Sequence, residues 1–233
     1  MSNMENSVKE LFEGLESGKV RVVNEDFSIN EDAKKSILEI FKLSSMQEFN
    51  AGDFSWWDKI PLSYSKNFRR VPGSFIRRGA FLGSGCVVMP SFVNIGAYVC
   101  DNTMIDSGVT IGSCAYIGKK CHISSNTVIA GVLEPLSAKP VIIHDNVFVG
   151  AQCLISEGFE IPKNCVLAAG VKLTSSTKIF DKKGDLVEKL EEGSVLVPGS
   201  YSIGPVNIDC VILVKNIDEK TLKKTAINEV LRK

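Results

Sequence analysis

An excess of charge of either sign is missing from this chain: 27 Lys and Arg are matched by 27 Asp and Glu, for a formal net charge of zero. The basic surplus that marks nucleic-acid or membrane-surface proteins is therefore absent. The longest charged stretch, KKGDLVEKLEE (182–192), mixes both signs and reads as a solvated loop or hairpin. No stretch approaches the roughly 20 apolar residues needed to cross a bilayer. The first residues, MSNMENSVKELFEGLESGK, lack the uninterrupted apolar core of a signal peptide, so a cytoplasmic location is expected. The 7 cysteines are odd in number, with no CxxC and no Cys/His cluster at metal-ligand spacing. Neither a disulfide framework nor a metal site is expected.

What is present is a period of six. From Phe75 the sixth residues are Phe75, Phe81, Val87, Val93, Val99, Ile105, Ile111, Ile117, Ile123 and Ile129; a second series runs through Ile143, Val149, Ile155, Ile161, Leu167, Leu173 and Ile179. Six residues turn an α-helix by about 600° and scatter around it, whereas extended backbone returns them to one side. An uninterrupted strand would also bury Ser107, Ser113, Lys119 and Ser125, so the chain must turn once per sextet. Four places after most large residues stands a smaller one: Thr103, Val109, Ala115, Cys121, Thr127, Val147, Cys153, Cys165, Val171 and Thr177. These are packing partners inside a narrow corner, which makes most cysteines small core residues rather than redox groups. Gly96, Gly112, Gly118 and Gly150 directly follow large apolar positions, where a missing Cβ relieves a tight bend.

Short extended segments stacked in parallel make a hexapeptide-repeat β-helix, a triangular prism with three sextets per coil and roughly 25 Å tall at about 4.8 Å per rung. Ile129 to Ile143 breaks phase, and GVLEPLSAKP (131–140) leaves the prism as a loop stiffened by two prolines, a lid, a subunit contact or a plain insertion.

Residues 1–67 read as a small, mainly helical domain: Val8, Leu11, Phe12 and Leu15 follow helical spacing before Gly18, and Ala33, Ile37, Leu38 and Phe41 mark a second helix from near Asn30. SWWDKIPL (55–62) reads as a domain junction sealed by paired tryptophans. Residues 68–198 form the β-helix. Residues 199–233 hold a strand, VNIDCVILVK (206–215), and a terminal helix over 218–233, with Asp218 as its cap and Leu222, Ile227, Val230 and Leu231 on one side.

The stretch from RRVPGSFIRRGAFLGSGCVVMPSFVNIGAYV through IDSGVTIGSCAYIGKKCHIS, with GVLEPL, IIHDNVFVGA, STKIFD and INEVLR, closely resembles the bacterial tetrahydrodipicolinate N-succinyltransferases of lysine and diaminopimelate biosynthesis. The resemblance is dense from about Phe68 to Gly199. It implies a mainly β fold, a left-handed parallel β-helix against the usual crossover hand, assembled as a homotrimer with active sites between subunits. It also implies succinyl-CoA as cosubstrate and direct attack by an amine on a thioester, with no covalent enzyme intermediate and no metal.

By the same resemblance Asp106 orients the amine and accepts its proton, or else merely caps its turn. Glu157 is a second carboxylate across the subunit interface, Arg69 meets a substrate carboxylate, and Ser113 is a substrate contact. For CoA the resemblance points to Ala130, Gly131, Ala169 and Gly170 through backbone groups, and to Lys172 or Lys178 near phosphates. His122 is read as structural and His144 as an outer-surface residue, although other hexapeptide acyltransferases use histidine as the base. The chain departs from the family pattern at Gln152, where an arginine is usual in the substrate site, at Gly108, where a tryptophan is usual, and at SSN (124–126), where the pattern is SGG. Two other readings are a sister enzyme using acetyl-CoA or another amine, and a noncatalytic β-helix scaffold.

Overall fold

The computed structural model describes residues 3–225 apart from Tyr64. Its centre is a prism with three parallel faces built from two-residue strands. Face one stacks Arg69–Arg70, Val87–Val88, Met104–Ile105, His122–Ile123, Phe148–Val149 and Val166–Leu167. Face two stacks Phe75–Ile76, Phe92–Val93, Thr110–Ile111, Val128–Ile129, Leu154–Ile155 and Lys172–Leu173. Face three stacks Phe81–Leu82, Tyr98–Val99, Tyr116–Ile117, Ile142–Ile143 and Glu160–Ile161. The chain visits the faces in that order in each coil, an arrangement consistent with the left-handed β-helix that the resemblance implies.

From Ile76 onward the second residue of each two-residue strand points in. From Val93 onward the expected aliphatic series is fully buried, as are the smaller corner residues from Thr103 to Val171. Full burial of one such aliphatic side chain contributes about 1.5–3 kcal/mol, and the repeat supplies it from segments too short to stand alone.

The start of the series is corrected by one residue. Phe75 is 45% exposed and Phe81 half-buried, while Ile76, Leu82 and Val88 point inward. The step from Val88 to Val93 is five residues, because the turn through Met89, Pro90 and Ser91 is one short; Phe75 consequently pairs with Phe92, not with residue 93. Both residues of each early strand are apolar, which hides the slip in the sequence.

The glycines divide into two kinds. Gly112, Gly118 and Gly150 follow inward residues, and the next coil runs directly over them: a Cβ would lie 2.6 Å from the Asp145 backbone nitrogen at Gly118 and 2.5 Å from that of Ala169 at Gly150. Gly96 is different. It follows Ile95 rather than the inward Val93 and takes φ +79°, so it supplies a left-handed turn.

Helix α1 (Asn3–Glu16) and helix α2 (Glu31–Leu43) lie against face three and the edge between faces two and three. Asn30 caps α2 by accepting the Ala33 N–H at 3.1 Å. Phe12, Leu15, Ile37 and Ile40 share a core with Ile95 and Cys114 of the prism, and Phe27 lies edge-on to Tyr116. SWWDKIPL is not a sealed junction. Phe54–Asp58 pairs antiparallel with Gln47–Ala51, and Trp57 is 66% exposed, since an isolated two-stranded ribbon leaves one side uncovered.

At the far end, Ser194–Ile203 extends face one and turns back as Val206–Asn216, which also pairs with Ile179–Asp181. The strand Ser194–Ile203 runs unbroken across residues 198 and 199, so the prism passes into this hairpin without a linker there. Helix α3 (Glu219–Thr225) follows, capped by Asp218 through the Thr221 N–H at 2.8 Å. The apolar positions expected at Ile227, Val230 and Leu231 lie outside the described residues.

All seven cysteines are buried free thiols, and burial pushes Cys86, Cys114 and Cys121 up to about 12. A thiol reagent at about pH 8 should leave the prism thiols unmodified in the native protein and label them on denaturation; rapid native labelling of Cys121 would contradict this packing.

Candidate active site

Rung register decides which candidate residues meet. Asp106 follows the Met104–Ile105 strand at the first edge, where face one turns into face two. Its Oδ1 accepts the Ser107 N–H at 2.7 Å, the turn-capping role, while Oδ2 lies 3.8 Å from Nε2 of His122. His122 sits one rung on from Met104, and its ring lies 5.2 Å from that of Phe148 on the following rung. Both side chains are about 30% exposed, at 30% for Asp106 and 28% for His122. The carboxylate is thus anchored through one oxygen and presents the other beside an imidazole.

His122, read above as structural, therefore adjoins the candidate site. The signal was available: coils here are 18 residues long, so residue 122 stands over residue 104, two places before Asp106. Arg69 is exposed on the same face, two rungs before Met104. Its neighbour Arg70 donates to the Ser63 carbonyl at 2.6 Å.

The first edge continues through a column of left-handed residues: Gly108 (φ +72°), Asn126 (φ +59°), Gln152 (φ +59°) and Gly170 (φ +78°). Gln152 and the proposed CoA contacts Ala169 and Gly170 lie on this edge, further along than Asp106. The departures from the family pattern meet here. A Cβ on Gly108 would run into Oδ1 of Asn126, so the absent tryptophan at 108 and the asparagine at 126 occupy one space in alternative ways.

The second edge, between faces two and three, holds Ser113, Ala130, Gly131 and Glu157. Ser113 is buried, and Gly112 and Gly131 stack so closely that neither accommodates a Cβ. Glu157 is exposed at φ +55° and is followed by Gly158 at φ +69°. Two successive left-handed residues, the first of them a glutamate, cost about 1 kcal/mol or more and aim a side chain deliberately. Ser175, one 18-residue coil later, donates its N–H to Oε2 of Glu157 at 2.9 Å. Hydrogen bonding by Ser175, through side chain and then backbone, holds that carboxyl below its usual range.

One expectation changes, and two lysines gain neighbours. His144 is not an outer-surface residue: its side chain is 12% exposed, with Nε2 2.7 Å from Oε1 of Glu160 and its ring 4.2 Å from that of Phe27. The helical region folds over that corner. Lys172 is engaged by the C-terminal hairpin, with Nζ 3.1 Å from Oδ2 of Asp209. Lys178 lies over the Tyr201 ring at 5.2 Å.

The stacked faces and repeating corners define a hexapeptide-repeat transferase. Residues 96–131 match the family model for the bacterial transferase hexapeptide (six repeats), and residues 140–175 match the hexapeptide repeat of succinyl-transferase. The 2,3,4,5-tetrahydropyridine-2,6-dicarboxylate N-succinyltransferase of Rhodopseudomonas palustris is 43% identical over 97% of this chain and 89% of its own length. The protein of the same name from a Methylobacterium strain is 44% identical, over 94% of this chain and 86% of its own. The chain belongs to the 2,3,4,5-tetrahydropyridine-2,6-dicarboxylate N-succinyltransferase family. A solved structure from Campylobacter jejuni, described as a putative 2,3,4,5-tetrahydropyridine-2-carboxylate N-succinyltransferase, aligns with a TM-score of 0.47 at 17% identity, covering 89% of this chain and 62% of that one.

The shared space at residues 108 and 126 gives a test. Gly108→Trp alone should destabilise the prism by about 2 kcal/mol through strain and overlap. Adding Asn126→Gly should recover most of that loss. Equal melting temperatures for the single and double variants would show that the two positions are independent.

Proposed function

We propose that this protein transfers a succinyl group from succinyl-CoA to the amine of ring-opened, hydrated tetrahydrodipicolinate, a step of the diaminopimelate and lysine pathway. The observation that carries the mechanism is the partly exposed Asp106 carboxylate, anchored through Oδ1 with Oδ2 turned toward His122. The substrate amine attacks the thioester carbonyl carbon, a C–N bond forms, and the C–S bond breaks. Asp106 takes the proton leaving nitrogen, and the CoA sulfur leaves to be protonated as the thiol. Arg69, on the same face, suits a substrate carboxylate by its planar pair of donors. Ser113, Ala130 and Gly131 on the second edge and Ala169 and Gly170 on the first supply polar backbone groups for substrate and CoA.

One protomer cannot supply the whole site. Asp106 and Glu157 stand on different edges and about 10 Å apart along the axis, two rungs at about 4.8 Å. A homotrimer, placing the first edge of one copy against the second edge of the next, brings the two carboxylates to one substrate. Face two supports such packing, since its outward row of Phe75, Phe92, Thr110, Val128 and Leu154 is largely apolar, with Phe75 45% and Val128 38% exposed.

Gln152 favours one alternative. A neutral amide where the family pattern has a guanidinium weakens recognition of a dicarboxylate, as expected of a sister enzyme using acetyl-CoA or another amine. Thiol release with succinyl-CoA against acetyl-CoA, with an aminopimelate-type acceptor, separates these readings; no turnover with any amine would favour a scaffold.

Asp106→Asn and Glu157→Gln should each lower turnover by at least about a hundredfold without altering assembly. Unfolded together and refolded as an equal mixture, they should regain about a quarter of the native activity. Random trimers are mixed in roughly three cases of four, and each mixed trimer has one intact site of three. No recovery would place both carboxylates in one protomer's site or remove one from the chemistry.

A further inference from the structure

Among the described residues, Lys34 is the one charged side chain that is fully buried, with 0% exposure on α2. A buried ammonium is costly unless its three donors find acceptors. Among the described residues its Nζ meets carbonyl oxygens, donating at 2.9 Å to Leu136 and also to Ala138. Both acceptors belong to the loop 131–140, just over a hundred residues along the chain. Leu133 of the same loop packs into the α1–α2 core, and Val132 donates its N–H to the Ser113 carbonyl at 3.0 Å. The projecting loop is therefore tied down at its base, its side and its crown.

The residue after the second acceptor reaches the site. The Lys139 backbone lies so close over Gly158 that a Cβ there would sit 2.9 Å from the Lys139 carbonyl oxygen and 2.7 Å from its Cβ. Gly158 is the second half of the left-handed pair that begins at Glu157. A continuous line of contact thus runs from α2 through the Leu136 and Ala138 carbonyls to Lys139, and from there to the turn that aims Glu157. The same Lys34 charge acts on Cys114, beside Ser113, where it partly opposes the effect of burial on the thiol.

We propose that Lys34 is a positioning residue, clamping the loop 131–140 as a strut between α2 and the Glu157–Gly158 turn. The proposal rests on the reading of Glu157 given above. The loop is in this view no lid: its two prolines and its clamp hold it rigid, and rigidity is what the Glu157 carboxylate requires to meet a substrate held mainly by another copy.

The test is Lys34→Met, which keeps the length and apolar stem and removes the donors. Hydrogen exchange on the full chain should rise about tenfold in peptides covering 132–140 and in those covering 156–160. The kcat for succinyl transfer should fall about tenfold with KM for succinyl-CoA within about twofold, at a temperature where the variant is fully folded. Lys34→Gln, which retains two donors, should lie between. Unchanged exchange at 156–160 overturns the strut, whether or not the wild type turns over this substrate. Raised exchange there with native kcat removes the strut from catalysis. Failure of both variants to fold would make Lys34 a folding residue and overturn the proposal.

Discussion

The spacing of about 4.8 Å between hydrogen-bonded rungs is the constraint on which the rest of the structure depends. Two-residue strands bury little by themselves, so each must lie in register on the one below, and every coil must deliver the same atoms to the same height. Where coils approach at their corners there is no room for a Cβ, hence Gly112, Gly118, Gly131 and Gly150. Where the backbone turns, one residue per corner takes φ near +60°, hence the recurrence of glycine and asparagine at six-residue steps.

The same constraint builds the candidate site. An 18-residue coil sets His122 over Met104 and so beside Asp106, Ser175 beside Glu157, and Asn126 over Gly108. Residues far apart in sequence become neighbours through the register alone. A change at one rung is therefore answered at the next, as at Gly108 and Asn126. At Gln152 the departure from the family pattern removes a charge, which on the proposed function bears on substrate choice.

The period of six made most of the prism legible in the sequence, since aliphatic burial writes itself at a fixed interval from Val93 to Ile179. It failed where a coil is one residue short near Pro90, because Phe75–Ile76, Phe81–Leu82 and Val87–Val88 offer an apolar residue in either phase. Asp106, Arg69 and Glu157 were readable as motif positions, but their distribution over two edges was not, as it follows from which face each sextet occupies. The contacts made by Lys34, by Phe27 on His144, and by the hairpin on Lys172 and Lys178 have no period at all. They join different layers of the fold, and nothing local in the chain encodes them.

Coverage of the three faces explains where chemistry can occur. Face three is sheltered by the chain's own helical region, through Gly18 against Phe81 and Tyr98 and Phe27 against Tyr116. Its polar groups are correspondingly absorbed, His144 by Glu160 and Phe27. Among the described residues, face two is lined only at its first rungs, where Phe54, Trp56 and Leu62 stand beside Phe75 and Phe92, and the edge between faces one and two bears Asp106 and Gln152. Among the described residues, Phe75 and Val128 of the apolar row on face two remain exposed. A second copy would bury that row and, in doing so, close the groove beside Asp106 against water. On the proposed function, burial and catalysis then draw on the same surface.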